Sequence, residues 1–469
     1  MNRVAIIICN YNKKDYVKKN IEALLRQTVE DYDIYLVDNA STDGTADDIE
    51  ATYPDTVRVL RNSTNAGGSG GFNLGMREAR KQDYCAYLLL DNDVILAPDC
   101  LAQLLRGLDE HPRLGIEGAE ILRMDEPDTI QEYGPLLDSE HVGFILRYRG
   151  DKDSEDLPAF LPCDYVPACA MLVRRETIDT IGLMPEENFI YYDDIEWCTR
   201  AREAGFGVAA NRHAKAWHKG GAAQQTTTFS VYYLNRNKTA FFLRYFPDLP
   251  ADEEAREAVF RHRADVLLRD MYQGCFVCQR NGQHNVLKTR MDAFIDALMK
   301  KTGKAMPYEI RSHEHTYFKR FRETFEKTQR LALDTRGDYT STACVLDQLH
   351  IIERERGLPF DITLIDGHLR MPGRFRGRVV LPKMEERAAY DFVLEVCPHV
   401  YDLKAVDRKK AYVDRWRNLL ISEADFASLQ EYRRGLMFFR LCYMDRLMER
   451  MEEEMAYGRC AKMRALDEL

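Results

Sequence analysis

Two aspartates separated by one residue are the first feature of the sequence that could carry out chemistry. In the segment Leu88–Asp93, three leucines are followed by Asp91, Asn92 and Asp93. Two carboxylates at this spacing form a hard oxygen site, which suits Mg²⁺ or Mn²⁺ carrying substrate phosphates. Because Asp-x-Asp is also common in turns, it is the position after an apolar strand that favours a metal site. His218, downstream, could complete the metal shell, although a lone histidine is more often structural.

A second group of acids lies between aromatic residues. Asp193 and Asp194 follow Tyr192 and precede Glu196, at the start of a predicted helix. Three acids at this place could simply complement the helix dipole. An Asp-Asp pair between aromatic residues also suits a general base with a raised pKa, whose task would be to take the proton from an acceptor hydroxyl.

Polar and aromatic residues follow the first two predicted strands, Val4–Cys9 and Ile34–Val37. They are Asn10, Tyr11, Asn12, Asp38 and Asn39. Ligands of open α/β sheets bind outside the carboxyl ends of the strands, so we expect these side chains to lie near a ligand. The Asp38 carboxylate could accept a hydrogen bond from a nucleotide base, and neighbouring Ser, Thr and Asn side chains could cap the following helix.

A glycine-rich segment, residues 65–73, follows the third predicted strand. Its candidate donor-binding residues are Asn65, Gly67, Gly68, Gly71 and Asn73. Clustered glycines let the backbone approach a ligand closely and begin a helix whose N-terminus favours anions. The segment lacks the dinucleotide fingerprint G-x-G-x-x-G and does not follow the first strand. A flexible surface loop is the alternative interpretation.

The elements that must position these residues alternate along the chain. Apolar periodicity predicts strands at Val4–Cys9, Ile34–Val37, Val57–Leu60 and Tyr87–Leu90, with intervening helices at Lys14–Gln27, Thr42–Ala51 and Phe72–Lys81. This order predicts an α/β fold with a mainly parallel sheet covered by helices on both faces. Farther on we expect loops and short hairpin strands over 123–161, a strand at Ala168–Val173 and a helix at Asp194–Ala204.

The 469 residues exceed the usual size of one hydrophobic core, so two or more domains are expected. The character of the sequence changes near residues 246–250. We therefore predict an α/β domain over 1–245 and a mostly α-helical domain over 246–469, where Lys, Glu, Arg, Leu and Met recur at helical spacing. The second domain could bind an acceptor, contact a membrane surface or mediate homo-oligomerisation.

The net charge of −10 is concentrated in residues 1–250, which hold 27 Lys and Arg against 40 Asp and Glu. Such acidity argues against nucleic acid as a partner and suits a divalent cation. The sequence begins without a signal peptide, and no apolar run approaches the length of a membrane span, so we expect a cytoplasmic protein. Two basic segments, Met371–Arg378 and Lys404–Arg417, could contact the inner face of the cell membrane, but interleaved acids favour a solvated surface.

Taken in this order, these features resemble glycosyltransferase family 2, whose fold is of the GT-A type. The resemblance covers about residues 1–245 and rests on Asp38, the Asp91-x-Asp93 pair, the Asp193-Asp194 pair and His218. Within that family, the sequence resembles galactofuranosyltransferases and rhamnosyltransferases. The local features shared with them are the segment 65–73, the aromatic-Asp-Asp-x-acid segment with Arg200 downstream, and Tyr232–Asn237 after a Trp-His pair.

The resemblance implies an inverting transfer of a sugar from a nucleotide-sugar donor. The donor would be UDP- or dTDP-linked, for example galactofuranose or rhamnose, and the acceptor a hydroxyl of a glycan or lipid-linked glycan in cell-surface polysaccharide synthesis. It also implies a bound Mn²⁺ or Mg²⁺, with Asp93 and His218 as ligands and Asp91 near the metal or the ribose.

The resemblance further assigns roles to residues around the donor. Asp38 would contact the base, Asp194 would be the general base, and Asp193 would orient the acceptor or the sugar. On the acceptor side it implies Tyr192, Glu196 and Trp217. Glu196 stands where many relatives have Asp.

Two other classes of protein remain open at this point. A sugar nucleotidyltransferase also uses an α/β fold, a metal and carboxylates, but it would usually carry a glycine-rich, basic phosphate loop directly after the first strand. Here the first strand runs into Asn10, Tyr11 and Asn12. A non-catalytic scaffold on the same fold would be favoured by loss of Asp93 or Asp194, and both are present.

Overall fold

The computed structural model describes residues 3–219, 228–246, 249–312, 319–365, 390–456 and 461–462. The N-terminal half is built on a ten-stranded sheet. Its elements in chain order are β1 (Val4–Asn10), α1 (Lys14–Leu24), β2 (Tyr32–Asp38), α2 (Thr45–Thr52), β3 (Val57–Arg61), α3 (Gly67–Ala79), β4 (Ala86–Asp91), β5 (Val94–Leu96), α4 (Cys100–Glu110), β6 (Leu114–Arg123), β7 (Ile130–Glu132), β8 (Leu136–Asp138), β9 (Gly143–Ile145), β10 (Phe160–Pro162), β11 (Ala170–Arg174), α5 (Arg175–Ile181), α6 (Asp193–Glu203) and β12 (Gly207–His218).

The sheet is parallel at its centre, as predicted. The strand order is β10-β12-β6-β11-β4-β1-β2-β3, and β1 pairs in parallel with both β2 and β4. Along β1, Ala5 and Ile7 belong to one hydrophobic cluster while Ile6 and Ile8 belong to another, so both faces of the sheet are covered. This double burial explains why the strand is apolar throughout. The predicted α/β fold with a mainly parallel central sheet is confirmed.

The C-terminal half is largely helical, as expected, and also contains a second sheet. Its elements are α7 (Phe229–Arg244), β13 (Tyr245–Phe246), α8 (Glu253–Arg280), α9 (His284–Leu298), α10 (Lys319–Phe325), β14 (Arg330–Asp334), α11 (Tyr339–Arg356), β15 (Asp361–Ile365), β16 (Phe392–Cys397), β17 (Ala411–Asp414), β18 (Leu419–Leu420), α12 (Glu423–Ala456) and β19 (Ala461–Lys462).

The second sheet has five strands in the order β15-β14-β16-β17-β18 and lies in the chain between α9 and α12. Sequence analysis did not predict it, because its strands are at most six residues long and short apolar runs do not distinguish a strand from a buried helix. A cavity of about 780 Å³ opens at the carboxyl ends of β14 and β16, where Glu395 pairs with Arg336 and Lys410.

One hydrophobic core runs across the predicted domain boundary at 245/246. Tyr192 and Trp197 of the N-terminal half belong to the same cluster of buried residues as Phe246, Leu267 and Met451 of the C-terminal half. Helices α8 and α12 pack along one another, and α7 packs on α9. The division into 1–245 and 246–469 therefore stays a prediction, and the two parts share their interior.

The structure describes only one of the two basic segments. Residues 371–378 lie outside the described residues. Within Lys404–Arg417 the structure has the strand β17 and turns rather than a helix, and Arg408 pairs with Glu423 at 3.0 Å. No helix in the part of the chain that the structure describes is long and apolar enough to cross a membrane.

Candidate active site

The carboxyl ends of three parallel strands bring the first candidate residues to one edge of the sheet. In the register of these strands, Asn10 lies opposite Asp38, and Cys9 lies opposite Asp91. The side chains are connected across this edge. The amide of Asn10 donates to Asp38 Oδ1 at 3.2 Å, and Asn92 Nδ2 donates to Asn10 Oδ1 at 3.0 Å. The network fixes the three strand ends relative to one another.

Asp91, Asp93 and His218 form a compact group of metal-ligand types. One potential ligand atom from each residue lies within 4.8 Å of the others. His218 Nε2 lies 3.3 Å from Asp93 Oδ1 and 4.0 Å from Asp91 Oδ2. The backbone N–H of Lys219 donates to the carbonyl of Asp93 at 3.1 Å, which joins the end of β12 to the turn after β4. Two carboxylates and an imidazole at this separation fit one Mn²⁺ or Mg²⁺ ion.

In this group the two carboxylates favour a positive charge on the imidazole of His218. Partial burial, with 43% of the side chain still exposed, raises the pKa of Asp91 to about 6, although the charge of His218 opposes the rise. Burial would also raise the pKa of Asp93, but the hydrogen bond and charge of His218 outweigh it and the pKa is lowered. The pKa of His218 is raised because Asp93 and Asp91 outweigh the effect of its burial. A metal ion would take the place of the imidazole proton.

Three residues that sequence analysis missed border this group. Lys13 Nζ lies 3.5 Å from Asp93 Oδ2, and Gln131 Nε2 lies 3.0 Å from His218 Nδ1. Burial raises the pKa of Glu132, next to Gln131 on β7, to about 7. Of the three, only Lys13 could have been found from the sequence, because it directly follows Asn12. Gln131 and Glu132 lie on β7, in the region predicted as loops and short strands.

The acid pair stands at the start of α6, after a strained turn of aromatic residues. Phe189, Tyr191 and Tyr192 all have positive φ, between 64° and 67°. Such backbone conformations are costly for bulky residues and persist only where surrounding contacts hold them. Here Asn237 of α7 donates at 2.9 Å to the carbonyl oxygens of Asn188, Ile190 and Tyr191. The motif Tyr232–Asn237 therefore holds the turn that aims the two acids.

The two carboxyl groups of the pair are both buried, and the charge of one affects the ionisation of the other. Burial and the neighbouring Asp194 raise the pKa of Asp193 to about 8. Burial also raises the pKa of Asp194, but its oxygens accept from the backbone N–H groups of Ile195 at 2.8 Å and Ala168 at 3.3 Å. Because the charge of Asp194 is among the causes that raise the pKa of Asp193, Asp194 is the member of the pair that ionises more readily.

The acid pair and the metal-ligand group belong to one site. The charge of Asp194 contributes to the raised pKa of Asp91. The glycine-rich segment borders the acid pair, because a Cβ at Gly68 would lie 3.5 Å from Asp193 Oδ2. The ends of the parallel strands and the N-termini of α3 and α6 thus surround the same space.

The glycines of residues 67–71 form the first turns of α3, which begins five residues earlier than predicted. A Cβ at Gly71 would lie 2.3 Å from Cys9 Sγ, and one at Gly67 would lie 2.0 Å from the carbonyl oxygen of Phe189. These two positions must be glycine for α3 to pack on β1 and on the aromatic turn. Their contact with a donor stays a prediction.

Several asparagines predicted at the donor are hydrogen-bonded within the protein. Asn39 accepts from the backbone N–H of Ala66 at 3.0 Å and donates to the carbonyl of Gly67 at 2.8 Å, and Asn65 accepts from the N–H of Gly67 at 2.9 Å. Together they fix the start of α3. Asn12 accepts at 2.8 Å from the N–H of Thr42, in the turn before α2.

Asn73 is the asparagine whose placement differs from the prediction. It is 1% exposed and exchanges two hydrogen bonds with the backbone of Met184, at 2.9 and 3.0 Å. It therefore does not face a donor. Tyr11, by contrast, is 46% exposed beside the strand ends.

The acceptor-side predictions are partly wrong. Tyr192 is 2% exposed and its ring packs against Phe144 and Phe241, so it belongs to the core. Glu196 is 1% exposed and pairs with Arg200 at 2.7 Å and Arg244 at 3.0 Å. Glu196 lies on the packed face of α6, whereas Tyr192 precedes that helix and its ring enters the core.

Trp217 remains near the site, on the same strand as His218. It is half-buried, and its indole N–H donates at 2.9 Å to the carbonyl of Pro127. The glycines that follow it, residues 220 and 221, lie outside the described residues.

Comparison with known proteins gives the class of the chain. Residues 5–181 match the family model described as Glycosyl transferase family 2. The matched part belongs to this family and spans the central strands and the Asp91-x-Asp93 pair, and it ends before Asp193, Asp194 and His218.

Two curated relatives illustrate the similarity. Over 196 residues the chain is 26% identical to galactofuranosyltransferase GlfT2 of Mycolicibacterium smegmatis, an alignment that covers 38% of this chain and 30% of that protein. It is 23% identical over 246 residues to the low-salt glycan biosynthesis hexosyltransferase Agl10 of Haloferax volcanii, covering 51% of this chain and 75% of the relative. The chain thus spans less than a third of the length of the galactofuranosyltransferase.

Two solved structures are weakly similar to the chain. One is the mannosyltransferase PcManGT of Pyrobaculum calidifontis in complex with GDP-Man and Mn²⁺, at 15% identity and a TM-score of 0.40, covering 65% of this chain and 76% of that one. The other is TarS 1–349 of S. aureus, at 15% identity and a TM-score of 0.41, covering 63% and 80%.

Proposed function

We propose that this protein is an inverting, metal-dependent glycosyltransferase that moves a sugar from a nucleotide-diphosphate sugar to a hydroxyl of a glycan or lipid-linked glycan. One observation carries the proposal. Two carboxylates, which belong to the part of the chain that matches family 2, and an imidazole lie within 4.8 Å of one another and interact electrostatically with a buried pair of aspartates. The names of the two curated relatives support a hexose donor, and we propose a UDP- or dTDP-linked one.

The donor would lie across the strand ends. Asp91, Asp93 and His218 would hold Mn²⁺ or Mg²⁺, which when bound neutralises charge on the leaving nucleotide diphosphate. The nucleotide base of the donor would lie beside Asp38 and against the exposed ring of Tyr11. The carboxylate of Asp38 is already oriented by Asn10.

The acid pair would serve the acceptor. Asp194, as the ionised member, takes the proton of the acceptor hydroxyl while its oxygen attacks the anomeric carbon and the bond to the diphosphate breaks. This single displacement inverts the anomeric centre. Asp193 keeps its proton near neutral pH and donates a hydrogen bond to the acceptor or the transferred sugar.

The first experiment is thermal unfolding with a panel of UDP-, dTDP- and GDP-sugars, with Mn²⁺, with Mg²⁺ and with chelator. A ligand at about 100 times its Kd should stabilise the fold by ~2.7 kcal/mol, which is readily seen as a higher melting temperature. We expect a shift with one nucleotide sugar that chelator abolishes. Absence of any shift over the whole panel would contradict the proposal and favour a non-catalytic scaffold.

Two variants separate the proposed roles. Asp93→Asn should lose the metal-dependent shift, because it removes a ligand. Asp194→Asn should keep the shift and lose turnover by about 10²–10⁴-fold, since it removes only the base. Asp55→Asn, in an exposed turn, is the matched control and should match the wild type in both assays. Near-normal turnover of Asp194→Asn would show that another group is the base.

A further inference from the structure

The long helix α12 leaves an apolar surface uncovered. One face of α12 packs on the other helices and buries Tyr432, Leu436 and Leu447. On the opposite face, Phe438 is 63% and Leu441 75% exposed, beside Met437 at 53%. Leu441 is the most exposed large hydrophobic residue in the described part of the chain. Adjacent apolar side chains of this size on a rigid helix are typical of an interaction surface.

Unpaired charges flank this apolar surface. Arg434 lies one helical turn before Phe438, and Asp445 lies one turn after Leu441, and both are exposed. Among the residues that the structure describes, neither has an oppositely charged partner within 4.0 Å, whereas Arg440 pairs with Asp265 at 2.5 Å. The apolar surface therefore has one positive and one negative end.

The four positions are self-complementary under a two-fold axis. Arg434, Phe438, Leu441 and Asp445 are spaced 4-3-4, which is the seam of a helix that pairs with another helix. In an antiparallel pair centred between Phe438 and Leu441, Phe438 contacts the partner's Leu441 and Arg434 contacts the partner's Asp445. Each contact occurs twice, as in an isologous interface. A parallel pair would instead place like charges together.

We propose that α12 is the interface of a homodimer in which two copies of the helix pack antiparallel through these four residues. The proposal is independent of the catalytic assignment, since none of the four lies at the candidate active site. The charges set the direction and register of the pair, and the apolar residues supply the contact.

Charge reversal tests the pairing directly. By sedimentation velocity the wild-type chain, of 54.5 kDa, should sediment as a dimer at micromolar concentration. Arg434→Glu or Asp445→Arg alone should weaken dimerisation at least tenfold, because each places two like-charge pairs in the interface. The double variant should restore it. Arg261→Glu, at a site 57% exposed on α8, is the control and should stay dimeric.

Apolar substitutions provide a second test. Phe438→Ser with Leu441→Ser should give a monomer with an unchanged circular dichroism spectrum, whereas Met299→Ser, at a residue that is 68% exposed, should remain dimeric. A monomeric wild type over the whole concentration range would overturn the proposal. So would a dimer that neither charge reversal nor the serine pair weakens.

Discussion

Gln131 is a single residue on which the proposed metal site depends. Its Nε2 lies 3.0 Å from His218 Nδ1 and donates to it in this orientation, whereas the amide rotated by 180° presents Oε1 as the acceptor of an Nδ1–H. Ligation through His218 Nε2 requires the second arrangement, with the proton on Nδ1. The orientation of the Gln131 amide therefore decides whether His218 carries the tautomer that a metal needs.

We expect Gln131→Leu to weaken Mn²⁺ binding about 10–100-fold, because the imidazole loses the group that orients it. Gln131→Glu keeps an acceptor and should bind at least as tightly as the wild type. Titration of Mn²⁺ by electron paramagnetic resonance measures both. Equal affinity for the leucine variant and the wild type would show that His218 is oriented by other contacts.

Glu117 of β6 should make stability depend on pH. It is 0% exposed, accepts from Asn211 Nδ2 at 2.8 Å, and its pKa is raised by burial from 4.5 to about 8. The folded protein therefore retains a proton that the unfolded chain releases between these values. The stabilisation is fully present below about pH 4.5 and is lost as the pH rises through about 8.

Glu117→Gln mimics the protonated acid and should flatten this dependence. We expect the variant to match the wild type near pH 5 and to exceed it at pH 8–9 by on the order of 1–3 kcal/mol in the free energy of unfolding. Glu110→Gln, at a residue that is 63% exposed, is the control. Denaturant unfolding at several pH values decides the matter, and parallel curves for variant and wild type would contradict the prediction.

At the scale of elements, the packing of α3 on β1 depends on glycines, because a side chain at these positions would collide with the strand. Gly71→Ala would bring a Cβ to 2.3 Å from Cys9 Sγ. We expect a loss of about 1–3 kcal/mol in stability, because the interior must shift to make room. Gly143→Ala, whose Cβ would come no closer than 3.7 Å to any atom, should cost little. Thermal unfolding compares the two, and a neutral Gly71→Ala would mean that α3 can move away from β1.

Periodicity in the sequence predicted the central strands well, because β1, β2 and β4 are buried on both faces and end in polar residues. It failed at α3, since glycine is a poor helix former and the first turns of that helix are held by Asn39, Asn65 and tertiary packing. The same limit applies within the site. Gln131 and Glu132 reach His218 because β7 pairs with β6 and β6 pairs with β12. A contact between residues 87 apart in the chain leaves no local signal.

At the scale of the whole molecule, the shared core predicts a single cooperative unit. Phe246 is 0% exposed, and its ring lies 5.3 Å from that of Phe260 and 4.9 Å from the guanidinium carbon of Arg263. Phe246→Ala should therefore lower the free energy of unfolding by about 3–5 kcal/mol. The loss should destabilise the parts of the chain before and after residue 246. Hydrogen exchange should show faster opening of β1 and α8 together, with Met299→Ala as the exposed control. Protection lost from α8 alone would show two independent domains.

The hydrogen bonds from Asn237 to the aromatic turn also bear on the order of events during synthesis. Translation runs from the N-terminus at about 5–20 residues per second. Asp91, Asp93, Asp193 and Asp194 leave the ribosome before the side chain that fixes the turn at Asn188–Tyr191. A nascent chain that already contains every acid of the site thus lacks the support for two of them, and the site can be completed only once α7 has emerged and docked.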